Sequence, residues 1–263
     1  MNMEHDSVLR IRQLSKVYNG RQVLSDVSFE IKRGEVFVIM GGSGCGKSTL
    51  LRIMAGSIAP SSGEIIFDGK NIGSISGDDK DKIKKKFGMS FQSAALLDSL
   101  TVEENVSLPI KEHTRLDREV IHIITAMKLK LVGLQGFENY MPSELSGGMK
   151  KRAGLARAIA LDPEIVFYDE PTAGLDPVVC AVVDQLILDL TKKLKITSVV
   201  VTHNMESVFR IADRIAMLYK GKVLQVGTVE EIRNSSNPIV QQFIKGDIEG
   251  PIQMDDKLSE AMC

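Results

Sequence analysis

Eight consecutive residues carry the strongest chemical signal in the chain. Gly41-Gly42-Ser43-Gly44-Cys45-Gly46-Lys47-Ser48 fits the spacing G-x-x-x-x-G-K-[S/T] of a phosphate-binding P-loop. Glycines in such a loop let backbone N–H groups converge on phosphate oxygens, and the helix that follows aims its positive end at the same point. Lys47 would place a charge at the β- and γ-phosphates, and the Ser48 hydroxyl would hold Mg²⁺. Thr49, next in the chain, is grouped with them. A second signal is Ile165-Val166-Phe167-Tyr168-Asp169-Glu170, an apolar run ending in two carboxylates. Two acids at a strand end can simply be solvated. Beside a phosphate loop they acquire roles: Asp169 as a metal ligand, and Glu170 as a base that polarises water attacking the γ-phosphate. A third signal is Leu145-Ser146-Gly147-Gly148-Met149, which opens helical sequence containing Lys150, Arg152 and Arg157. Ser-Gly-Gly at a helix start serves equally as a helix cap or as a phosphate cradle. One nucleotide already has its loop, so a second cradle suggests two sites built from two chains.

These residues need a scaffold. Residues 8–31 read as short strands around an Asn19-Gly20 hairpin turn. The apolar run 36–40 suits a strand buried on both faces, and 49–55 looks helical. Strand-like sequence returns at 63–75 around Asp68-Gly69 and at 87–91, with a charged stretch at 78–86 between. From about 93 to 160 the pattern is mostly helical. Thr101 and Glu104 form a capping box there, and Pro142-Ser143-Glu144 precedes another helix. Buried-strand runs resume at 165–168 and 198–202 around a helix at about 178–194, and 215–219 and 223–226 flank the turn Lys220-Gly221. Strands alternating with helices predict an α/β sheet with the helical stretch as an inserted subdomain. In such a sheet ligands bind beyond the carboxyl ends of the strands, where the phosphate loop and the acid pair would both lie. We expect one domain over 1–246 and a polar, mobile tail over 247–263.

The 263 residues are 43% hydrophobic and 25% charged, an ordinary soluble mix that excludes a disordered chain. A net charge of −1 gives no global basic field to recruit nucleic acid or an anionic membrane. The basic run Lys82-Ile83-Lys84-Lys85-Lys86 reads as a solvated face. Cysteines at 45, 180 and 263 form no CxxC pair, which argues against a disulfide framework or a zinc site and for a reducing compartment. Residues 1–12 are too polar for a signal peptide, and no apolar run approaches 18 residues.

Taken in order, Tyr18, the loop 41–48, Gln92, the loop 145–149, the strand 165–170, Ala173-Gly174-Leu175-Asp176 and His203 resemble the ATP-binding cassette ATPases. The resemblance spans about residues 8–230. It implies a P-loop ABC ATPase fold: a mostly parallel core sheet, an antiparallel β subdomain and an inserted α-helical subdomain. It implies ATP and Mg²⁺ as cofactors, and a homodimer. ATP would be held between the P-loop of one subunit and Ser146, Gly147 and Gly148 of the other. Tyr18 would stack on adenine, and Asp176 would act across the dimer. Gln92 would contact Mg²⁺ and the attacking water, beside the metal ligands Ser48 and Asp169. His203 would meet the γ-phosphate, beside the catalytic Lys47 and Glu170. Met149 and Gly42 depart from the commoner glutamine and proline, and neither change removes a catalytic group.

A closer likeness lies in Phe91-Gln92-Ser93-Ala94-Ala95-Leu96-Leu97, Glu112-His113-Thr114, Met141-Pro142-Ser143-Glu144 and Gly250-Pro251. These segments resemble MlaF-type ATPase subunits of intermembrane phospholipid transporters. The likeness implies a peripheral place on the cytoplasmic face of the inner membrane. Its partners would be an integral-membrane permease, an Mce-domain substrate-binding protein and a small accessory subunit, with no nucleic acid. The apolar cluster Ala94, Ala95, Leu96, Leu97 and Leu100 is expected to dock the permease. The alternatives are an ATPase for another transported substrate, or a soluble non-transport member of the family. A single cassette without a heptad run disfavours the latter.

Overall fold

The computed structural model describes residues 7–75 and 77–253. The polar leader up to Asp6, the end of the tail from 254 and Cys263 lie outside the described residues. β1 (Ser7–Tyr18) and β2 (Arg21–Lys32) form the expected hairpin, though each strand is 12 residues long and the register between them is interrupted by bulges. Asn19 and Gly20 sit at φ 47° and 79°, the two left-handed positions of a type I′ turn. β4 (Ser62–Phe67) pairs with β1, and β5 (Lys70–Asn71) pairs with β4 across Asp68-Gly69, which completes an antiparallel sheet of order β2-β1-β4-β5.

The second sheet holds β3 (Val36–Met40), β6 (Phe87–Ser90), β7 (Ile165–Asp169), β8 (Thr197–Thr202), β9 (Arg214–Tyr219) and β10 (Lys222–Thr228) in the order β10-β9-β3-β8-β7-β6. All of its pairings are parallel except the β9–β10 hairpin at Lys220-Gly221. Its central strands β3, β8 and β7 are buried on both faces, as the unbroken apolar runs predict, whereas β10 at the edge is only partly covered. Val36, Val38 and Met40 of β3, with Val166 and Tyr168 of β7, enter one core cluster. Phe37 and Ile39, with Ile165 and Phe167, enter the other. Each such side chain contributes about 1.5–3 kcal/mol of burial.

The first cluster packs on α3 (Val102–His113), α4 (Arg118–Leu131), α5 (Gly147–Ala158), α6 (Pro177–Leu194) and α7 (Met205–Ile211). The second joins α1 (Lys47–Met54) to the antiparallel sheet. Thr101 caps α3 with the predicted box: its hydroxyl accepts from Glu104 N, and the Glu104 carboxylate accepts from Thr101 N. The charged stretch expected only as a solvated face forms a short helix, α2 (Asp78–Lys84). Lys82 and Lys86 are ion-paired there, with Asp79 and Glu164. Three further helices went unread in the sequence, α7, α8 (Val229–Arg233) and α9 (Pro238–Lys245). Residues 247–252 fold back on α9, where the buried Gln242 side chain bonds the Asp247 carbonyl and both backbone groups of Ile252.

Candidate nucleotide site

Four parallel strands end level with one another. Met40 pairs with Thr202, Asp169 with Val201, and Ser90 with Tyr168. The segments that follow therefore leave one edge of the sheet side by side: the loop 41–48 from β3, His203 from β8, Glu170 from β7 and Gln92 from β6.

Backbone contacts shape the glycine loop. Gly41 adopts φ 156° with the Leu218 carbonyl so close that a β-carbon would lie 2.1 Å from it, which only glycine tolerates. Gly46, the cap of α1, has φ 108° and packs on Leu24 of β2. A β-carbon on Gly42 would meet nothing, and Ser43 and Gly44 are exposed at the crest. The Lys47 ammonium spans the mouth of the loop and donates to the Gly41 and Gly42 carbonyls at 2.9 and 3.0 Å. Cys45 is buried beneath, where desolvation pushes its thiol pKa up against the opposing charge of Lys47. Thr49 continues α1.

Ser48 Oγ donates to Asp169 Oδ1 at 2.9 Å, so the two expected metal ligands share one spot. Among the described residues no three acidic, histidine or cysteine side chains cluster as a metal cage. One carboxylate and one hydroxyl is nevertheless a donor set that suits Mg²⁺, which retains waters and takes phosphate oxygens as further ligands. Glu170 is buried at φ 47°, a strained setting for a non-glycine residue, and its N–H is fixed to the Val201 carbonyl. Its carboxylate accepts from His203 Nδ1 at 2.9 Å, and the histidine ring is 60% exposed toward the edge.

Tyr18 ends β1 half-exposed, with the Lys16 ammonium 4.8 Å from its ring centroid. Its hairpin reaches the glycine loop through Val23 and Leu24, which crowd Gly46 and Gly221. Ser146, Gly147 and Gly148 stand apart from this group. They line a separate cleft of about 450 Å³ with Gly174, Leu175 and Asp176, and no residue of 41–49 contributes to it. Both helix caps are occupied structurally: Ser146 Oγ accepts from Met149 N at 3.3 Å, and Asp176 Oδ1 accepts from Val178 N and Val179 N at 3.0 Å each. A β-carbon on Gly148 would lie 2.7 Å from Val179 Cγ1, so a larger residue there requires that side chain to move.

The expected docking cluster is divided by the fold. Ala94 is buried against Gly154, whereas Leu97 is 46% and Phe91 40% exposed. A groove of about 550 Å³ is lined by Phe91, Ala95, Leu108, Pro109, His113 and Arg157, and Leu97 lies outside that lining. Ala94 is therefore core and not surface. Ala94 and Ala95 have φ of 60° and 48°, so the loop turns its side chains out of the order that an apolar run suggests.

Sequence reasoning passed over Lys151. Its buried ammonium donates to the Gln92 carbonyl and, at 3.3 Å, to that of Glu170. Burial lowers its pKa, while the Glu170 and Asp169 carboxylates oppose the shift. The available signal was a cation on the apolar stripe of α5, one and two turns before Leu155 and Ala158.

The profile of the ABC transporter family matches residues 24–173. The chain is 41% identical over 249 residues to the intermembrane phospholipid transport system ATP-binding protein MlaF of Haemophilus influenzae, covering 95% of this chain and 94% of that one. It is 42% identical over 246 residues to the Escherichia coli K12 protein of the same name, covering 94% and 91%. Among solved structures, the dimeric post-hydrolysis state of the ATP-binding cassette MJ0796 with ADP and Pi superimposes with a TM-score of 0.77 at 33% identity, covering 84% of this chain and 98% of that one.

Proposed function

The chain belongs to the ABC transporter family, and on that premise we propose that it is the ATP-hydrolysing subunit of a phospholipid transporter, acting through a separate membrane permease. The observation that carries the reading is the level strand edge, which brings a phosphate loop, a serine–aspartate pair and a glutamate–histidine pair together. Relatives named for phospholipid transport align with nearly the whole chain, which supports lipid as the cargo. In this reading residues 1–246 are the ATPase domain, with an insert of about 93–160.

The mechanism follows from the residues at the edge. Loop N–H groups and Lys47 hold the β- and γ-phosphates. Ser48, Asp169 and Gln92 would hold Mg²⁺, which supplies charge neutralisation at those phosphates. Glu170 accepts a proton from water as the water oxygen bonds to the γ-phosphorus and the bridge to the β-phosphate breaks, leaving ADP and phosphate. His203 orients the Glu170 carboxylate and offers its exposed edge to the γ-phosphate. Tyr18 offers one ring face to adenine.

Because Ser146, Gly147, Gly148 and Asp176 lie outside this group, they act on the nucleotide of a second copy. Mixing a Ser146→Arg chain with a Lys47→Ala chain tests the arrangement. In the heterodimer one composite site carries both lesions and the other is intact. We expect the mixture to recover part of the ATP-driven closure that neither variant shows alone. Verified heterodimers that stay open would reject shared sites.

The groove lined by Phe91, together with the exposed Leu97 of the same loop, is the proposed seat of the permease. Phe91→Glu or Leu97→Glu is expected to abolish permease pull-down while leaving the melting temperature of the free chain near wild type. Burying an unpaired charge at an interface costs several kcal/mol, or orders of magnitude in occupancy. Unchanged pull-down by both variants, or a collapsed melting curve, would reject the surface. Among the described residues no helix is long and apolar enough to cross a membrane. In this reading the permease holds the chain at the cytoplasmic face of the inner membrane. An Mce-domain protein and a small accessory subunit complete the proposed assembly. Co-purification from membranes, with mass spectrometry of proteins and lipids, is expected to recover these partners and phospholipid. Another cargo in their place would overturn the lipid reading.

A further inference from the structure

Helix α5 begins at the Ser146 loop and runs beneath the residues that follow β6. Three of its residues, at spacings of three, face that segment. Lys151 donates to the Gln92 carbonyl. Gly154 lets Ala94 approach until a β-carbon on the glycine would lie 3.2 Å from the Ala94 β-carbon and carbonyl oxygen. Arg157 donates to the Ala94 and Ala95 carbonyls, at 2.7 Å each. Residues 92–95 are thus fastened to α5 along two helical turns. Of the three, only Lys151 also reaches the residue that follows β7, where its ammonium meets the Glu170 carbonyl at 3.3 Å. That carbonyl belongs to a residue in a strained left-handed conformation, which needs external contacts to hold it.

We propose that Lys151 is a positioning residue for ATP hydrolysis: one buried cation holds the backbones of Gln92 and Glu170 in fixed relation to each other and to the helix that carries the Ser146 loop. The proposal rests on the roles of Gln92 and Glu170 given above and adds the group that sets them side by side. A lysine suits the task because its three rotatable donors can serve carbonyls from two directions at once. Displacing either backbone moves a side chain that orients water at the γ-phosphate, while the phosphate loop, which binds most of the nucleotide, stays in place. Lys151 therefore affects turnover more than nucleotide binding.

The test is steady-state ATPase kinetics on the full-length chain with Lys151→Met, Lys151→Arg and, in parallel, Glu170→Gln. Lys151→Met keeps the length and apolar stem and removes the donors. It is expected to lower kcat by about ten- to a hundredfold, since small misplacements at a reacting centre cost that much. Its KM for ATP should stay within about threefold of wild type, the mark of an interaction made in the transition state. Lys151→Arg keeps the charge and at least two donors and is expected to restore kcat to within about threefold. Melting curves check folding. If Lys151→Met does not fold, Lys151→Gln, which retains a donor for one carbonyl, carries the same comparison. The proposal is overturned if a folded Lys151→Met or Lys151→Gln turns over within about twofold of wild type. It is equally overturned if the loss lies in KM, or if arginine restores nothing. An inactive Glu170→Gln beside a fully active Lys151→Met would overturn this inference alone. An active Glu170→Gln would overturn the assignment of Glu170 and this inference with it.

Discussion

Glu170→Gln is expected to bind ATP as the wild type does and to hydrolyse it about a thousandfold more slowly, within the usual range for losing a general base. The carboxylate is buried, its backbone is pinned to Val201 at φ 47°, and its oxygen accepts from His203 at 2.9 Å. An amide preserves that shape and leaves Ser48, Asp169 and the phosphate loop untouched. It cannot accept a proton from water. In ATP and Mg²⁺ the variant should therefore accumulate as a closed, nucleotide-loaded dimer, because closure is reached and the step that reopens it is blocked. Size-exclusion chromatography in ATP, with single-turnover hydrolysis of the same sample, separates the two effects. Turnover within a few-fold of wild type would reject Glu170 as the base. Lost binding would mean that the carboxylate supports the nucleotide and not the proton transfer.

Much of this site was legible because its elements are local in sequence. The hairpins at Asn19-Gly20 and Lys220-Gly221 follow from left-handed positions that these residue pairs favour. β3, β7 and β8 were readable because strands covered on both faces show as unbroken apolar runs. α2 was not, since its charged residues leave no helical periodicity to detect. The site followed the same division. Contiguous motifs supplied the glycine loop, Asp169 and Glu170, whereas Lys151 draws its role from carbonyls 59 and 19 residues away. Its neighbours along the chain place Lys151 on the apolar stripe of α5 but do not say which carbonyls it meets. The apolar run at 94–97 misled for a related reason. In an irregular loop with left-handed residues, hydrophobicity does not say which side chains face inward, and Ala94 is buried while Leu97 is not.

Lys47→Ala should act one step earlier than Glu170→Gln, on binding itself. The ammonium lies across the mouth of the glycine loop, held by the Gly41 and Gly42 carbonyls at 2.9 and 3.0 Å, at the place where the phosphates would enter. Hydrogen bonds to charged groups are worth about 1.5–3 kcal/mol each, so removing the lysine should weaken ATP binding by about tenfold to a hundredfold or more. Turnover should fall further, because charge builds on the γ-phosphoryl oxygens and their partner is gone. Ligand-induced stabilisation offers a direct reading. At an ATP concentration of about a hundred times the wild-type Kd, binding adds about 2.7 kcal/mol to the stability of the folded chain. If Lys47→Ala raises Kd a hundredfold, the same ATP adds only about 0.4 kcal/mol. In a chain of this size the melting temperature would rise by about 5–10 °C in the wild type and by about 1 °C in the variant. Without nucleotide the variant should melt somewhat below the wild type, because the substitution takes the donor from the buried Gly41 carbonyl, while Gly42 is only half-buried. Equal thermal shifts in ATP, or equal affinities by calorimetry, would remove Lys47 from the phosphate site. A variant that melts far below wild type without ATP would instead make the lysine a structural strut of the loop.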